Sequence, residues 1–181
     1  MTTGFDKQKI DGVAARYNEA AKAGGWSSQC DPSLTFFRPQ LTDLLALWHE
    51  KAKDGIPARS IFDARSLKPV LSNMLIVERV QDGDEQRRWR FRYFGSELVK
   101  LLGEFTNQAL EDALAPEHAA RWGFLYDCVV EGTAPARIVT SYQLAKIDYR
   151  DGEGLIVPLA NEQGHTSLVL SATYVRPKIS P

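Results

Sequence analysis

The chain has 181 residues, 44% of them hydrophobic and 25% charged, with a formal net charge of −1. That composition suits a globular domain with its own core, and it provides no global field to attract nucleic acid or an anionic membrane. No apolar run approaches the roughly 18–20 residues a membrane span needs, the first nine residues lack the basic-then-apolar order of a secretory signal, and Cys30 and Cys128 are too few and too far apart for a disulfide framework or a four-ligand zinc site. A cytoplasmic protein with two reduced thiols is expected.

In chain order, residues 6–23 read as a helix. Asp6 can cap it, Ile10, Val13, Ala14, Tyr17, Ala20 and Ala21 form one stripe, and Gly24-Gly25 end it. Residues 26–37, broken by Ser, Asp and Pro, read as a linker. A second helix is predicted over 39–54 on Leu41, Leu44, Leu45, Trp48 and Ala52, with Gly55 at its end and Pro57 barring continuation. Residues 60–63 read as extended, followed by a helical turn near 66–71. A strand over 74–81, an Asp82-Gly83-Asp84 turn and a second strand predict a hairpin. In that second strand Trp89, Phe91 and Tyr93 alternate with Arg88, Arg90 and Arg92, which predicts one apolar and one charged face. The period changes at Gly95. Ser96 can serve as an N-cap, and Leu98, Leu101 and Leu102 carry a short helix to Gly103. After a loop, Ala115-Pro116-Glu117 opens a long helix striped by Trp122, Leu125, Tyr126 and Val129 and ended by Gly132. Strands over 138–144, 155–159 and 167–175 finish the chain. The second carries Pro158, which favours an edge or a bulge, and Asn161-Glu162-Gln163-Gly164 joins the last two. This order predicts an α+β domain: a five-stranded antiparallel sheet with helices packed on one face, room for a cavity between them, and an N-terminal helical extension.

The local motifs also stand in a telling order. Trp48 precedes Gly55-Ile56-Pro57-Ala58-Arg59 and Phe62-Asp63, then come Leu67 to Leu71, Phe91-Arg92-Tyr93-Phe94-Gly95-Ser96-Glu97-Leu98-Val99, and Ile156-Val157-Pro158-Leu159 before the last strand. Over about residues 40–176 this resembles the PAS domain family, and within it the bacterial PAS_5 type of small stand-alone proteins. The resemblance implies the PAS fold over 38–177, after a helix and linker over 1–37. It implies a sensory or interaction role in signalling, exercised by binding a small molecule or a protein partner, with no output domain of its own. It also makes the strand-to-helix passage at 89–103 the entrance to a cavity. One departure is visible: relatives commonly carry a Thr-Gly turn where Thr106 is followed by Asn107, a residue that still tolerates a left-handed backbone.

The candidate ligand-binding residues are Phe91 and Tyr93, Leu98 and Leu102, and opposite them Trp122, Tyr126 and Tyr142, with Tyr126, Ser141 and Tyr142 as orienting polar groups. Gly123, inside the long helix, costs about 1 kcal/mol relative to Ala; close helix–sheet packing or space for a ligand would each account for it. His49, His118 and His165 are scattered and give no metal-ligand spacing. The cofactor is left open. Haem is disfavoured because His118 lies in a first turn beside Glu117, and flavin because Cys128 sits inside a helix and not in a reactive motif. Phosphate-cradling loops and nucleophile elbows are missing. The aromatic–arginine alternation could mimic a nucleic-acid platform, but without a second basic cluster a two-sided strand accounts for it better. Arg90 or Arg92, facing a groove, would instead hold a carboxylate.

Catalysis is the alternative reading: a small cone-shaped α+β enzyme, isomerase- or hydrolase-like, with Asp127 and Glu131 as the nearest carboxylates. The helical pattern puts Asp127 on the outer face, so no catalytic residue is assigned. The stripe of the first helix lies outside the PAS boundaries and needs burial, which predicts a homodimer through that helix. Removing the first 30 residues is then expected to leave the domain folded.

Overall fold

The structure is a computed structural model that describes residues 7–53, 55–80, 88–144 and 147–177. Its elements are α1 (Lys7–Gly24), β1 (Ser28–Asp31), α2 (Pro39–Lys51), α3 (Ala64–Leu67), β2 (Met74–Arg79), β3 (Trp89–Phe94), α4 (Ser96–Leu102), α5 (Leu110–Ala113), α6 (Pro116–Gly132), β4 (Ala136–Leu144), β5 (Ile147–Ala160) and β6 (Thr166–Pro177). The strands form one antiparallel sheet in the order β1-β4-β5-β6-β2-β3. The α+β class is as expected. The sheet has six strands where five were predicted, and helices cover both of its faces.

The sixth strand is β1, in the segment that reads as a linker. Nothing in Ser-Gln-Cys-Asp favours a strand; its neighbours impose one. It pairs with β4 from Ser28↔Thr140 to Asp31↔Arg137. On its outer edge the Asn18 amide donates to the Cys30 carbonyl and accepts from the Cys30 N–H, both at 2.8 Å. That side chain occupies the edge where another strand would otherwise add.

Strand β5 is longer than its sequence suggests. It starts at Ile147, runs through Gly152 and Gly154, and is flanked on both sides by β4 and β6. Pro158 lies past the last β4 pair, Ala136↔Ile156, so its missing N–H breaks no bond to that strand.

Strand β3 is bulged. Ile76 pairs with Tyr93 but Val77 pairs with Phe91, which leaves Arg92 as the extra residue. One inserted residue moves every later side chain to the opposite face. Trp89 and Phe91 therefore face one core, Tyr93 turns to the other, and Phe94 returns to the first.

On one face, α2 lays Leu41, Leu44 and Trp48 on Leu155, Leu159 and Leu170, and Trp48 Nε1 donates to the Pro158 carbonyl at 2.9 Å. Four segments meet nearby at Glu153. Arg137 donates to its Oε1 from Nε and Nη2 at 2.9 and 2.7 Å, the N–H groups of Phe37 and Arg38 donate to the same carboxylate at 3.0 and 3.2 Å, and Arg137 also pairs with Asp31. The other face carries α6 over β5 and β6, with α1 beside it against β1.

The apolar stripe of α1, namely Val13, Ala14, Tyr17 and Ala21, is buried within the chain and not left for a partner copy. The two helices touch where Gly132 meets Val13: a methyl at Gly132 would lie 2.3 Å from Val13 Cγ2. Arg16 and Glu131 bridge them at 2.7 Å. Asp6 and the Asp82-Gly83-Asp84 turn lie outside the described residues. Among the described residues no helix is long and apolar enough to cross a membrane.

Two outcomes follow for stability. Deleting residues 1–24 uncovers Val13 and Tyr17's side of the core, each worth roughly 1.5–3 kcal/mol. The truncated chain should lose several kcal/mol and its sharp thermal transition, contrary to what the sequence leads one to expect; retention of the full-length melting temperature would show that α1 is dispensable. Glycine substitutions should split. A methyl at Gly95 would stand 2.4 Å from the Leu71 carbonyl oxygen, whereas at Gly123 it would have only Trp89 Cδ1 at 3.7 Å. In urea melts Gly95→Ala should cost about 3 kcal/mol, and Gly123→Ala should gain up to about 1 kcal/mol.

Candidate functional site

On the α6 face the sheet and helices enclose a cavity of about 540 Å³. Its walls come from Leu75 and Phe94 on the sheet, Leu98 and Leu101 on α4, Ala113 on α5, and Trp122 on α6. Gly95 shapes one side, because its missing side chain lets the chain pass against the backbone of Leu71 and Ser72 before α4 begins. Gly103, at φ +106°, ends that helix. Asn107, at φ +68°, then turns the loop back onto the outer edge of β3. There Asn107 N donates to the Phe91 carbonyl at 2.8 Å, and Phe91 N donates to Gln108 O at 3.0 Å. The loop carries Phe105 into the wall, stacked on Phe91 and edge-on to Phe94.

Polar groups are few and unevenly placed. Glu117 and His118 stand exposed at the rim. Deeper in, Tyr126 and Arg121 are buried parts of the wall, and Thr173 faces it from β6.

Of the residues singled out from the sequence, Phe91, Leu98, Leu102, Trp122 and Tyr126 lie along this wall. Tyr93 does not. The bulge at Arg92 turns it to the α2 side, where its hydroxyl donates to the Leu71 carbonyl at 3.1 Å. Ser141 and Tyr142 belong to β4, and their side chains lie outside the described residues. Phe94, Phe105 and Arg121 line the cavity unannounced. Phe94 follows from the bulge, which no alternation reveals. Arg121 had a signal: it lies four residues before Leu125, on the buried stripe itself. Arg92 pairs with Glu78 across the hairpin at 2.5 Å, and neither Arg90 nor Arg92 borders the cavity.

Asp127 corrects a prediction. It is not on an outer face but 7% exposed, because Trp89, Arg79 and Arg88 of the β2–β3 hairpin cover that side of α6. The Trp89 indole donates to its Oδ1 at 3.2 Å and Arg79 lies 3.3 Å from the same oxygen. Burial pushes its carboxyl above the usual value, against the pull of Arg79 and Trp89. It does not border the cavity, and Glu131 is engaged by Arg16 and Arg79.

The two thiols are free and buried, and burial pushes Cys30 up to about 12 and Cys128 to about 11. His49 is half-buried, and that burial lowers its pKa. Among the described residues no cluster of His, Cys, Asp and Glu could hold a metal ion.

The model of the PAS_5 family, a PAS domain, matches residues 36–173. The chain belongs to the PAS domain family. No curated protein matches it. Solved structures similar to it include a light-oxygen-voltage domain studied with a flavin analogue (14% identity, 63% of this chain and 84% of that one, TM-score 0.42). The aureochrome 1 LOV domain in its light state is another (10% identity, 63% and 88%, TM-score 0.41), as is a Rhodobacter sphaeroides LOV protein (9% identity, 79% and 70%, TM-score 0.38). Likeness at this level bears on neither cofactor nor light response.

The Asp127 site makes a paired prediction. Its folded pKa lies above the ordinary 3.8, so the cost of burying the charge is full at neutral pH and is relieved as pH falls through the folded value. Asp127→Asn keeps an acceptor for Trp89 and removes that cost, so its stability at pH 7 should stay within about 1 kcal/mol of the parent. Asp127→Ala strands a buried indole N–H and should cost about 1–3 kcal/mol. Equal stabilities for the two variants in denaturant melts would refute this account.

Proposed function

We propose that the chain is a sensing module: a PAS domain that takes a largely apolar small molecule into the α4–α6 cavity and reports occupancy to a signalling-protein partner. The cavity itself carries this reading. Its 540 Å³ falls inside the range of roughly 300–1,000 Å³ typical of small-molecule sites, and its lining is apolar with a few polar groups, as such sites require. Residues 38–177 would sense and residues 1–37 would transmit. One side of α6 supplies Trp122 and Tyr126 to the wall, while its far end meets α1 at Gly132 and Glu131. Close packing leaves little slack between them, so a shift of α6 on binding moves α1 as well. The exposed face of α1 carries Lys7, Glu19 and Lys22, which suits a polar protein contact. A homodimer through the apolar stripe of α1 draws no support, since the chain buries that stripe itself. Buried free thiols and a near-zero net charge suit a cytoplasmic setting away from nucleic acid. The catalytic alternative loses its leading acid, as Asp127 is committed to Trp89 and Arg79.

Native mass spectrometry of the freshly purified chain, followed by denaturing release and a thermal-shift screen of small apolar molecules, tests the proposal. A stoichiometric released compound or a stabilising hit is expected in the parent, and its loss in Ala113→Trp, which fills the cavity from α5. If the parent carries no extra mass and nothing stabilises it beyond that variant, the cavity is slack in the core and the reading fails.

A further inference from the structure

We infer that the molecule held in this cavity is a monocarboxylate with an apolar body, and that Arg121 is the counter-ion for its head group. The inference rests on the cavity being a binding site. Arginine keeps its charge under all ordinary conditions, and a charge taken out of water without a partner is among the costliest features a fold can contain. Arg137, 4% exposed, shows the usual remedy here, with Asp31 and Glu153 both paired to it. Arg121 is nearly as buried, at 7% exposed, and among the described residues it makes neither an ion pair nor a hydrogen bond; none of its nitrogens is sealed from solvent, and the opening beside it is the cavity. Its guanidinium carbon lies 5.8 Å from the centroid of the Trp122 ring, and its side chain borders the cavity and the Tyr17–Ser28 hydroxyl pair. Glu117, one turn earlier on α6, stands in solvent at the rim and is not paired with it.

The two halves of the site specify two halves of a ligand. Much of the cavity wall is hydrocarbon and aromatic, from Leu75, Phe94, Leu98 and Trp122, which fits an apolar body. The guanidinium fork matches the two oxygens of a carboxylate with a pair of parallel charge-assisted bonds. A phosphate fits less well. It carries more charge and calls for further donors, whereas among the described residues Arg121 is the one Lys or Arg on the wall and Glu117 at the rim opposes a second negative charge.

Two matched pairs of probes test this on the full chain: decanoate against decanol, and 2-naphthoate against 2-naphthol, by calorimetry and thermal shift at pH 7. The parent should bind at least one acid about tenfold or more tighter than its alcohol, the scale of a charge-assisted pair. Arg121→Gln should abolish that preference and keep alcohol binding, and Arg121→Lys should retain part of it. Without ligand, Arg121→Gln and Arg121→Met should melt at or above the parent, because an unpaired buried charge has been removed. Marked destabilisation of both variants would make Arg121 a structural group and overturn the inference, as would a preference for acids that survives Arg121→Gln. Equal binding of acid and alcohol by the parent would overturn it while leaving the cavity a binding site. Binding of no probe would count against both.

Discussion

Helix α6 lies over the sheet with α1 along one flank and the β2–β3 hairpin along the other, and from Leu125 to Val130 every side chain on it is buried. A helix with one exposed face tolerates polar residues there; one covered on both sides must be apolar throughout or must give each polar group a partner. The rest of the α6 face is arranged around that demand. Asp127 is answered by Trp89 and Arg79, which fixes how the hairpin β2–β3 lies across the helix. The glycine at the helix end lets α1 approach within contact of it. The cavity opens towards the N-terminus of α6, at Glu117 and His118.

Two buried arginines divide the molecule's chemistry between them. Arg137 ties β1, β4, β5 and the start of α2 through Asp31 and Glu153, with its flat face against the rings of Phe36 and Phe37. Such a cluster adds less to net stability than its hydrogen bonds suggest, because desolvation offsets much of the attraction; its effect is to make one arrangement of the four segments far better than its neighbours. Arg121 is equally hidden and lacks those acids. The same residue type therefore serves once as a fastening and once as an open valence.

Much of this architecture is legible in the sequence wherever one residue dominates its surroundings. The helices around Trp48 and Trp122 follow from their apolar spacing, and the short helix between Gly95 and Gly103 from its flanking glycines. Leu98, Leu102, Trp122 and Tyr126 can be named as a wall because each belongs to such a stripe. What escapes is whatever depends on a distant partner. Strand β1 exists through Asn18 and β4, and the first half of β5 through the strands on either side of it. The bulge at Arg92 leaves the alternation of letters intact while reversing the face of Tyr93. Asp127 looks outward only while the reach of the β2–β3 hairpin across α6 is unknown.

The position of α1 has a consequence in time as well as in space. Arg16 reaches Glu131 across 115 residues of chain, and Ser27 meets Thr140 across 113. Contacts this remote in sequence form late, since the loop between them must close before they contribute anything. During synthesis α1 has nothing of this domain's core to pack against until α6 and β4 have followed it. Val13 and Tyr17 stay open to other apolar surfaces throughout that wait, which makes α1 the natural place for a chaperone to hold the domain.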